Sequence, residues 1–222
     1  MKPSEATSID ADQIHELQRL VAEGEGPHLE FKRKVAYPEK IVREMIAFAN
    51  TDGGTLLVGV DDDGSMYGTR YPDEELFAVQ QAIQKLCRPI LLYHESVIAL
   101  NKKKFVVRFD VPPGDRRPYH LIVSKEETES YVRVNDMSIK ASAEMQEIVR
   151  RSKQKKDIRF TFGDHEKMLM QYLLQHHKIT LPEVQKLIGL NRYKTSRKLV
   201  LLVLANVIKI TATEKGDLYS AV

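Results

Sequence analysis

Apolar residues recur at every third or fourth position in several stretches of the chain, a spacing typical of amphipathic helices. Residues 10–22 carry Ile14, Leu17 and Leu20 on one such stripe. This helix is expected to end within residues 24–27, because their two glycines and one proline cannot continue it. Further helices are predicted to begin at Pro38 and to cover residues 73–87 and 143–151.

Shorter stretches alternate apolar and polar side chains, which predicts strands with one buried face. Leu29 and Phe31 share one face of the first strand, and Glu30 and Lys32 share the other. The apolar run at residues 55–60 is typical of a strand buried on both faces. Because helices and strands are mixed without regular β-α-β alternation, the pattern predicts an α+β fold. Further strands are predicted at residues 90–96, 105–111 and 130–134.

The C-terminal residues 164–222 follow a different order, in which three helices precede a two-stranded hairpin. Thr180, with Glu183 three residues later, forms a capping box at the start of the second helix. Asn191 is expected to cap the third helix, which covers residues 192–206. Three helices followed by a β-wing resemble a winged helix-turn-helix domain.

Charge is divided unevenly along the chain. The whole chain of 222 residues has a net charge of +3, whereas residues 153–222 alone carry 13 Lys and Arg against 6 Asp and Glu. A basic C-terminal part favours contact with nucleic acid. The sequence therefore predicts two domains, at residues 1–152 and 164–222, joined by a basic linker at residues 153–163.

Composition excludes several classes of protein. A single cysteine rules out an internal disulfide and a zinc site with two thiolates. No apolar run is long enough to cross a bilayer, and the first residues lack the apolar segment of a secretory signal. We therefore expect a cytoplasmic protein with no membrane partner.

Several short motifs of the N-terminal part occur in a characteristic order and spacing. They are residues 29–32 (LEFK), 46–54 (IAFANTDGG), 58–64 (VGVDDDG), 111–113 (VPP), 117–119 (RPY), 131–134 (YVRV) and 138–141 (SIKA). Together they resemble the Schlafen-type AlbA-like domain, a family earlier labelled divergent AAA or DNA-binding and ATP-binding. One departure is Asn135, where the family usually has glycine; asparagine tolerates left-handed backbone, so the turn is expected to survive. Asn50, Gly53 and Gly54 either hold the turn before the buried strand or touch a ligand, and the sequence leaves both open.

The resemblance implies a candidate catalytic set of Glu25, Glu30 and Asp61, with Lys32 assisting. Relatives that cleave tRNA use a glutamate pair five residues apart and an aspartate after the next strand. Carboxylates suit Mg²⁺ or Mn²⁺, which would be the cofactor of a metal-dependent endoribonuclease. The alternative is structural, with Glu25 as a surface charge and Glu30 as an ion-pair partner of Lys32 or Arg33. ATP hydrolysis is not expected, because no P-loop sequence is present.

Nucleic acid is the expected partner, with DNA favoured and RNA as the alternative. In a helix-turn-helix domain the third helix enters the major groove, and basic residues on neighbouring strands contact phosphates. The candidate contacts are Arg117, Tyr119, Tyr131 and Arg133 in the N-terminal part, Arg192, Tyr193, Lys194, Thr195, Arg197 and Lys198 on the third helix, and Lys209 and Lys215 on the wing.

Three functions follow from these observations. The first is a DNA-binding transcriptional regulator, and the second is the metal-dependent endoribonuclease acting on tRNA or another structured RNA. The third is a non-catalytic interaction module whose winged helix joins protein chains. Relatives with two such N-terminal domains pair them around a groove, so a single copy implies a homodimer.

Overall fold

A computed structural model describes residues 10–152 and 160–222. The chain divides into two compact units, Met1–Ser138 and Ile139–Val222. Residues 153–159 of the predicted linker lie outside the described residues. The described residues form seven helices and several sheets, which confirms the α+β class. None of the described helices is long and apolar enough to cross a membrane.

From residue 10 onward, the first unit contains three helices and a series of strands. In chain order these are α1 (Ala11–Ala22), β1 (Leu29–Lys32), α2 (Pro38–Asn50), β2 (Gly54–Val58), α3 (Pro72–Leu86), β3 (Cys87–Arg88), β4 (His94–Asn101), β5 (Lys104–Val111), β6 (His120–Ile122), β7 (Thr128–Glu129) and β8 (Tyr131–Val134), followed by β9 (Met137–Lys140) at the boundary between the units.

A mixed four-stranded sheet with the order β1-β2-β5-β4 forms the centre of the first unit. β1 and β2 are parallel, with Leu29 opposite Thr55 and Phe31 opposite Leu57, and the remaining pairs are antiparallel. β4 begins and ends later than predicted, at His94 and Asn101. It continues this far because it pairs with β5 up to the turn at residues 102–103. The alternation of side chains then gives this sheet two buried faces.

Each face of the sheet is covered by helices. On one face, Leu29 and Phe31 pack with Leu17 and Val21 of α1 in one hydrophobic cluster. On the other face, Leu56 and Val58 join the apolar side chains of α2 and α3 in a larger cluster. Glu30 and Lys32 therefore point to the α2 side, because they alternate with Leu29 and Phe31 along β1.

The turn between α2 and β2 is tightly packed. A Cβ atom on Gly53, which has a φ of +81°, would lie 2.7 Å from the Val111 carbonyl oxygen, and one on Gly54 would lie 2.5 Å from the Phe48 ring. Asn50 Nδ2 donates to the Tyr119 and Tyr131 carbonyl oxygens at 3.0 and 2.9 Å. These residues thus hold the backbone of the turn together. This favours the structural interpretation over contact with a ligand.

The described residues of the second unit form four helices and three strands after β9. They are α4 (Ala143–Arg151), α5 (Asp164–His176), β10 (Lys178–Thr180), α6 (Leu181–Ile188), α7 (Arg192–Leu204), β11 (Ile208–Thr211) and β12 (Leu218–Ala221). Its sheet has the order β10-β12-β11 and is antiparallel. β10 was not predicted as a strand, and it forms because Ile179 pairs with Tyr219 in the core.

Helix α4 was predicted to close the first domain, which was expected to end at residue 152. Its residues group instead with the second unit, because α4 packs along α7. Ser142 caps α4 by accepting the Met145 N–H at 3.0 Å, and its hydroxyl donates to the Asp217 carboxylate. The start of α4 is thereby tied to the residue that precedes β12.

Candidate functional site

A buried carboxylate lies within β1. Glu30 is 6% exposed, although a carboxylate is normally found at the surface. One oxygen accepts a hydrogen bond from Lys32 Nζ, and the other lies 2.6 Å from Arg133 Nη2. Lys32 Nζ also donates to the Phe31 carbonyl oxygen at 2.7 Å. Two cations therefore balance the Glu30 charge, as burial of an ion requires.

Arg133 is the centre of this network, and its guanidinium is almost completely enclosed. Its side chain is 1% exposed and also pairs with Glu44 of α2 at 3.1 Å. Nε and Nη2 donate to the Gly26 carbonyl oxygen at 3.1 and 2.9 Å, and Nη2 donates to the Leu29 carbonyl oxygen at 3.1 Å. The prediction that Arg133 contacts phosphate is wrong, because this side chain is buried and fully engaged within the protein.

Glu44 was not predicted as part of any site. It is 4% exposed, and both Arg133 and Arg43 pair with it. A signal was present in the sequence, since Glu44 lies three residues after Ile41 on the apolar stripe of α2. A charged residue at a core position of a helix indicates a buried ion pair.

The other predicted contacts in the first unit differ in exposure. Tyr119 is 2% exposed and packs in the core, so the prediction that it contacts nucleic acid is wrong. Arg117 is half-buried, and its Nη1 donates to the Thr51 carbonyl oxygen at 2.9 Å. Tyr131 is also half-buried; burial, and then the hydrogen bond to Glu129, raise the pKa of its phenol to about 12. The structure therefore does not gather these side chains into an exposed basic surface.

Glu25 and Asp61 contact different partners. Glu25 accepts the Phe31 N–H at 2.8 Å, and Asp61 lies 3.4 Å from Arg33 Nη1. Burial raises the pKa of Glu25; the Phe31 hydrogen bond opposes the rise, and the nearby charges of Glu30 and Asp62 add to it. The aspartate whose charge raises the pKa of Glu25 is thus Asp62, the residue after the predicted Asp61.

This carboxylate set does not fit a bound metal. Within residues 10–152 and 160–222, no group of three or more His, Cys, Asp or Glu side chains could hold a metal ion. Both oxygens of Glu30 already face cations. The metal-dependent ribonuclease implied by the resemblance therefore remains a prediction.

Helix α7 of the second unit has one buried side and one side that carries cations. Asn191 caps the helix, accepting the Lys194 N–H at 2.9 Å, as expected. Leu199 and Leu202 face the core. Thr195 is 0% exposed and its hydroxyl donates to the Asn191 carbonyl oxygen at 3.0 Å, so its predicted role as a nucleic-acid contact is wrong.

The predicted cations of α7 fall into two groups. Lys194 and Arg197 are exposed, as is Tyr193 at 73%. Lys198 forms an ion pair with Glu166 of α5. Burial alone would raise the pKa of Glu166, but the hydrogen bonds from Lys198 and the Gly163 N–H outweigh it and lower that pKa. Lys209 on β11 and Lys215 in the turn before β12 are both exposed.

Helix α4 lines one flank of α7. A groove of about 470 Å³ is bordered by Glu144 and Glu147 of α4 and by Tyr193 and Arg197 of α7. Arg192, at the start of α7, lies 3.7 Å from Glu144, which is 6% exposed. The cationic side of α7 thus has Glu144 and Glu147 as neighbours on one flank, whereas Lys194 is exposed to solvent.

The chain resembles a known protein family and several solved structures. The family described as Schlafen, AlbA_2 matches residues 25–142. A crystal structure of the DIP2311 protein from Corynebacterium diphtheriae is 18% identical with a TM-score of 0.45, and the match covers 63% of this chain and 28% of that one. The N-terminal domain of a RecG-related protein from Nitrosomonas europaea is 23% identical with a TM-score of 0.43, over 53% of this chain and 86% of that one. No curated protein matches the chain.

Proposed function

The chain belongs to the Schlafen AlbA_2 family, and from that premise we propose that it is a nucleic-acid-binding protein whose second unit contacts duplex DNA through α7. The observation that carries this proposal is the division of α7 into two sides. Lys194 and Arg197 face solvent within its first two turns, while Leu199 and Leu202 anchor the helix in the core. A rigid helix that presents cations suits a polyanion.

The order of elements in the second unit supports a winged helix-turn-helix. Helix α7 follows α6 after a short turn, and β11 and β12 come next in the chain and form a hairpin. In such a domain the second helix of the turn enters the major groove, and the hairpin reaches the neighbouring backbone. Lys209 and Lys215 are exposed on this hairpin and would contact phosphates.

We extend this proposal to regulation of transcription by a cytoplasmic homodimer. The extension draws on the fold of the second unit and on the single AlbA-like domain of the chain. Two copies would supply two reading helices, and symmetric DNA sites are read by symmetric dimers. Sedimentation at micromolar concentration tests the dimer, and a single monomer species would contradict it.

The duplex proposal is tested by titrating labelled double-stranded DNA and measuring fluorescence anisotropy over a range of salt concentrations. We expect binding that weakens steeply as salt rises, because phosphate contacts release counterions. A K194A/R197A variant should bind more weakly. The slope of log K against log salt concentration should be shallower by about two, which is one for each lost phosphate contact.

The matched control is Lys167→Ala, which removes an exposed cation of α5 in the same unit, where the side chain is 62% exposed. This variant should retain both the affinity and the salt dependence. Absence of duplex binding at low salt by the folded protein would contradict the proposal, as would equal losses in the control and the α7 variant.

A further inference from the structure

Three tyrosines in the first unit are unusually exposed. Tyr37, Tyr67 and Tyr71 have 60%, 47% and 63% of their surface in contact with solvent. Two of them occupy equivalent positions, since Tyr37 precedes Pro38 at the start of α2 and Tyr71 precedes Pro72 at the start of α3. Single exposed aromatic residues are common, but several on adjoining loops indicate a surface that binds something.

One carboxylate holds these loops together. Glu75 of α3 accepts the Val35 N–H at 2.8 Å and the Thr69 hydroxyl at 3.3 Å. Thr69 also exchanges two backbone hydrogen bonds with Phe105 of β5, at 2.7 and 2.9 Å. The loop before α2 and the loop before α3 are therefore fixed side by side, and the tyrosines they carry are presented by a rigid support.

Cations accompany the rings. The Arg33 guanidinium carbon lies 4.4 Å from the centroid of the Tyr67 ring, and Lys40 Nζ lies 4.8 Å from that of Tyr37. Residues 32–43 carry five Lys and Arg against one Glu. The Arg33 side chain is 61% exposed and its pair with Asp61 is long, at 3.4 Å, so a phosphate can replace that carboxylate.

We propose that this tyrosine surface, formed by Arg33, Lys34, Tyr37, Lys40, Tyr67 and Tyr71, binds a single-stranded segment of nucleic acid. Aromatic rings with cations beside them are the arrangement that stacks unpaired bases and holds the backbone that joins them. Paired bases would not reach these rings, because a duplex encloses its base faces. The site is therefore distinct from the one proposed on α7, in both its residues and its form of nucleic acid.

The charges beside Tyr71 differ from those beside the other two rings. The first turn of α3, which follows Tyr71, presents Asp73 and Glu74, both exposed, and these would repel phosphates. The cations lie instead along residues 33–40. We therefore expect the phosphates of the strand to lie beside Tyr37 and Tyr67, and Tyr71 to contact a base only.

Binding is tested with a short, unstructured, labelled oligothymidine and oligouridine by anisotropy. The protein has no tryptophan, so quenching of its tyrosine emission reports stacking in the same titration. A Y37A/Y67A variant should lose affinity by about tenfold or more, since stacking contributes on the order of one factor of ten for each base. The Y37F/Y67F variant keeps the rings and should bind as the native protein does.

Three outcomes separate the possibilities. Loss of single-strand binding in the alanine variant alone, with duplex binding unchanged, supports the proposal. Equal single-strand binding by the alanine and phenylalanine variants overturns it. Reduced self-association of the alanine variant in sedimentation, with single-strand binding intact, also overturns it, because the surface would then serve a protein contact. Failure of the α7 proposal would be seen separately, in K194A/R197A with duplex DNA.

Discussion

Two arginines of this protein each face a buried glutamate, yet their surroundings differ. In the first unit, Arg133 is 1% exposed and lies 2.6 Å from Glu30. In the second unit, Arg192 is 64% exposed and lies 3.7 Å from Glu144. The acids are almost equally buried, at 7% and 6% side-chain exposure. The two ion pairs therefore differ in the burial of the arginine, because both arginines have a buried glutamate as partner.

The difference has an energetic basis. A buried ion loses its hydration and must be balanced by fixed partners, so removing one partner leaves an uncompensated charge. Arg192 remains hydrated although Glu144 is buried, so their pair contributes roughly 0–1 kcal/mol. Arg133 is therefore part of the fold, whereas the Arg192 guanidinium stays open to solvent and could contact a phosphate.

The comparison is tested most severely by Arg133→Met. This change leaves Glu30 and Glu44 buried without their shared cation, and we expect a loss of about 3–5 kcal/mol in the free energy of unfolding. Urea denaturation measures it, with Arg116→Met, an exposed arginine, as the control that should change little. If R133M combined with E30Q and E44Q recovered none of the loss, uncompensated charge would not be its cause.

A smaller effect is expected for Glu144→Gln on duplex binding. Removing this charge leaves Arg192 available to phosphate and lowers the acidity of the groove beside α7. Since a pair whose cation is exposed contributes at most about 1 kcal/mol, affinity should rise by no more than about fivefold. Anisotropy titration at low salt measures it, and Glu127→Gln, an exposed acid of the first unit, should have no effect. Weaker binding would mean that α4 supports the DNA-contacting side.

The smallest effect concerns Glu166 and pH. The pKa of Glu166 is lowered in the folded protein, so its ion pair stabilises the second unit above the ordinary value of 4.5. That contribution is lost as the pH falls through the lowered pKa, and its size should be under about 1 kcal/mol.

The measurement is the difference in unfolding free energy between native protein and Lys198→Met, followed from neutral pH into acid. The difference should shrink as the pH falls through the lowered pKa of Glu166, because the carboxylate then takes up a proton and loses its pairing with Lys198. Taking the difference removes the opposing contributions of Glu25 and Asp217, whose pKa values are raised by burial. A difference that is constant with pH would contradict the assigned role of the pair.

The sequence alone determined the local structure of this protein. The start of α2 at Pro38, the extent of α4 and the caps of α6 and α7 were predicted from spacing and capping residues, and all are present. The family was likewise identified from motifs within residues 29–141, all of which lie inside the matched range of residues 25–142. These features succeed because each depends on residues within a few positions of one another.

Only the tertiary structure decided which charged and aromatic side chains remain accessible. Arg133 and Glu30 are 103 positions apart, and no local pattern shows that they meet. Tyr119 and Thr195 were expected at the surface and are buried, while Tyr37, Tyr67 and Tyr71 were not singled out and are exposed. Periodicity identifies the faces of an element but does not specify which other element covers them, because that depends on how distant segments pack.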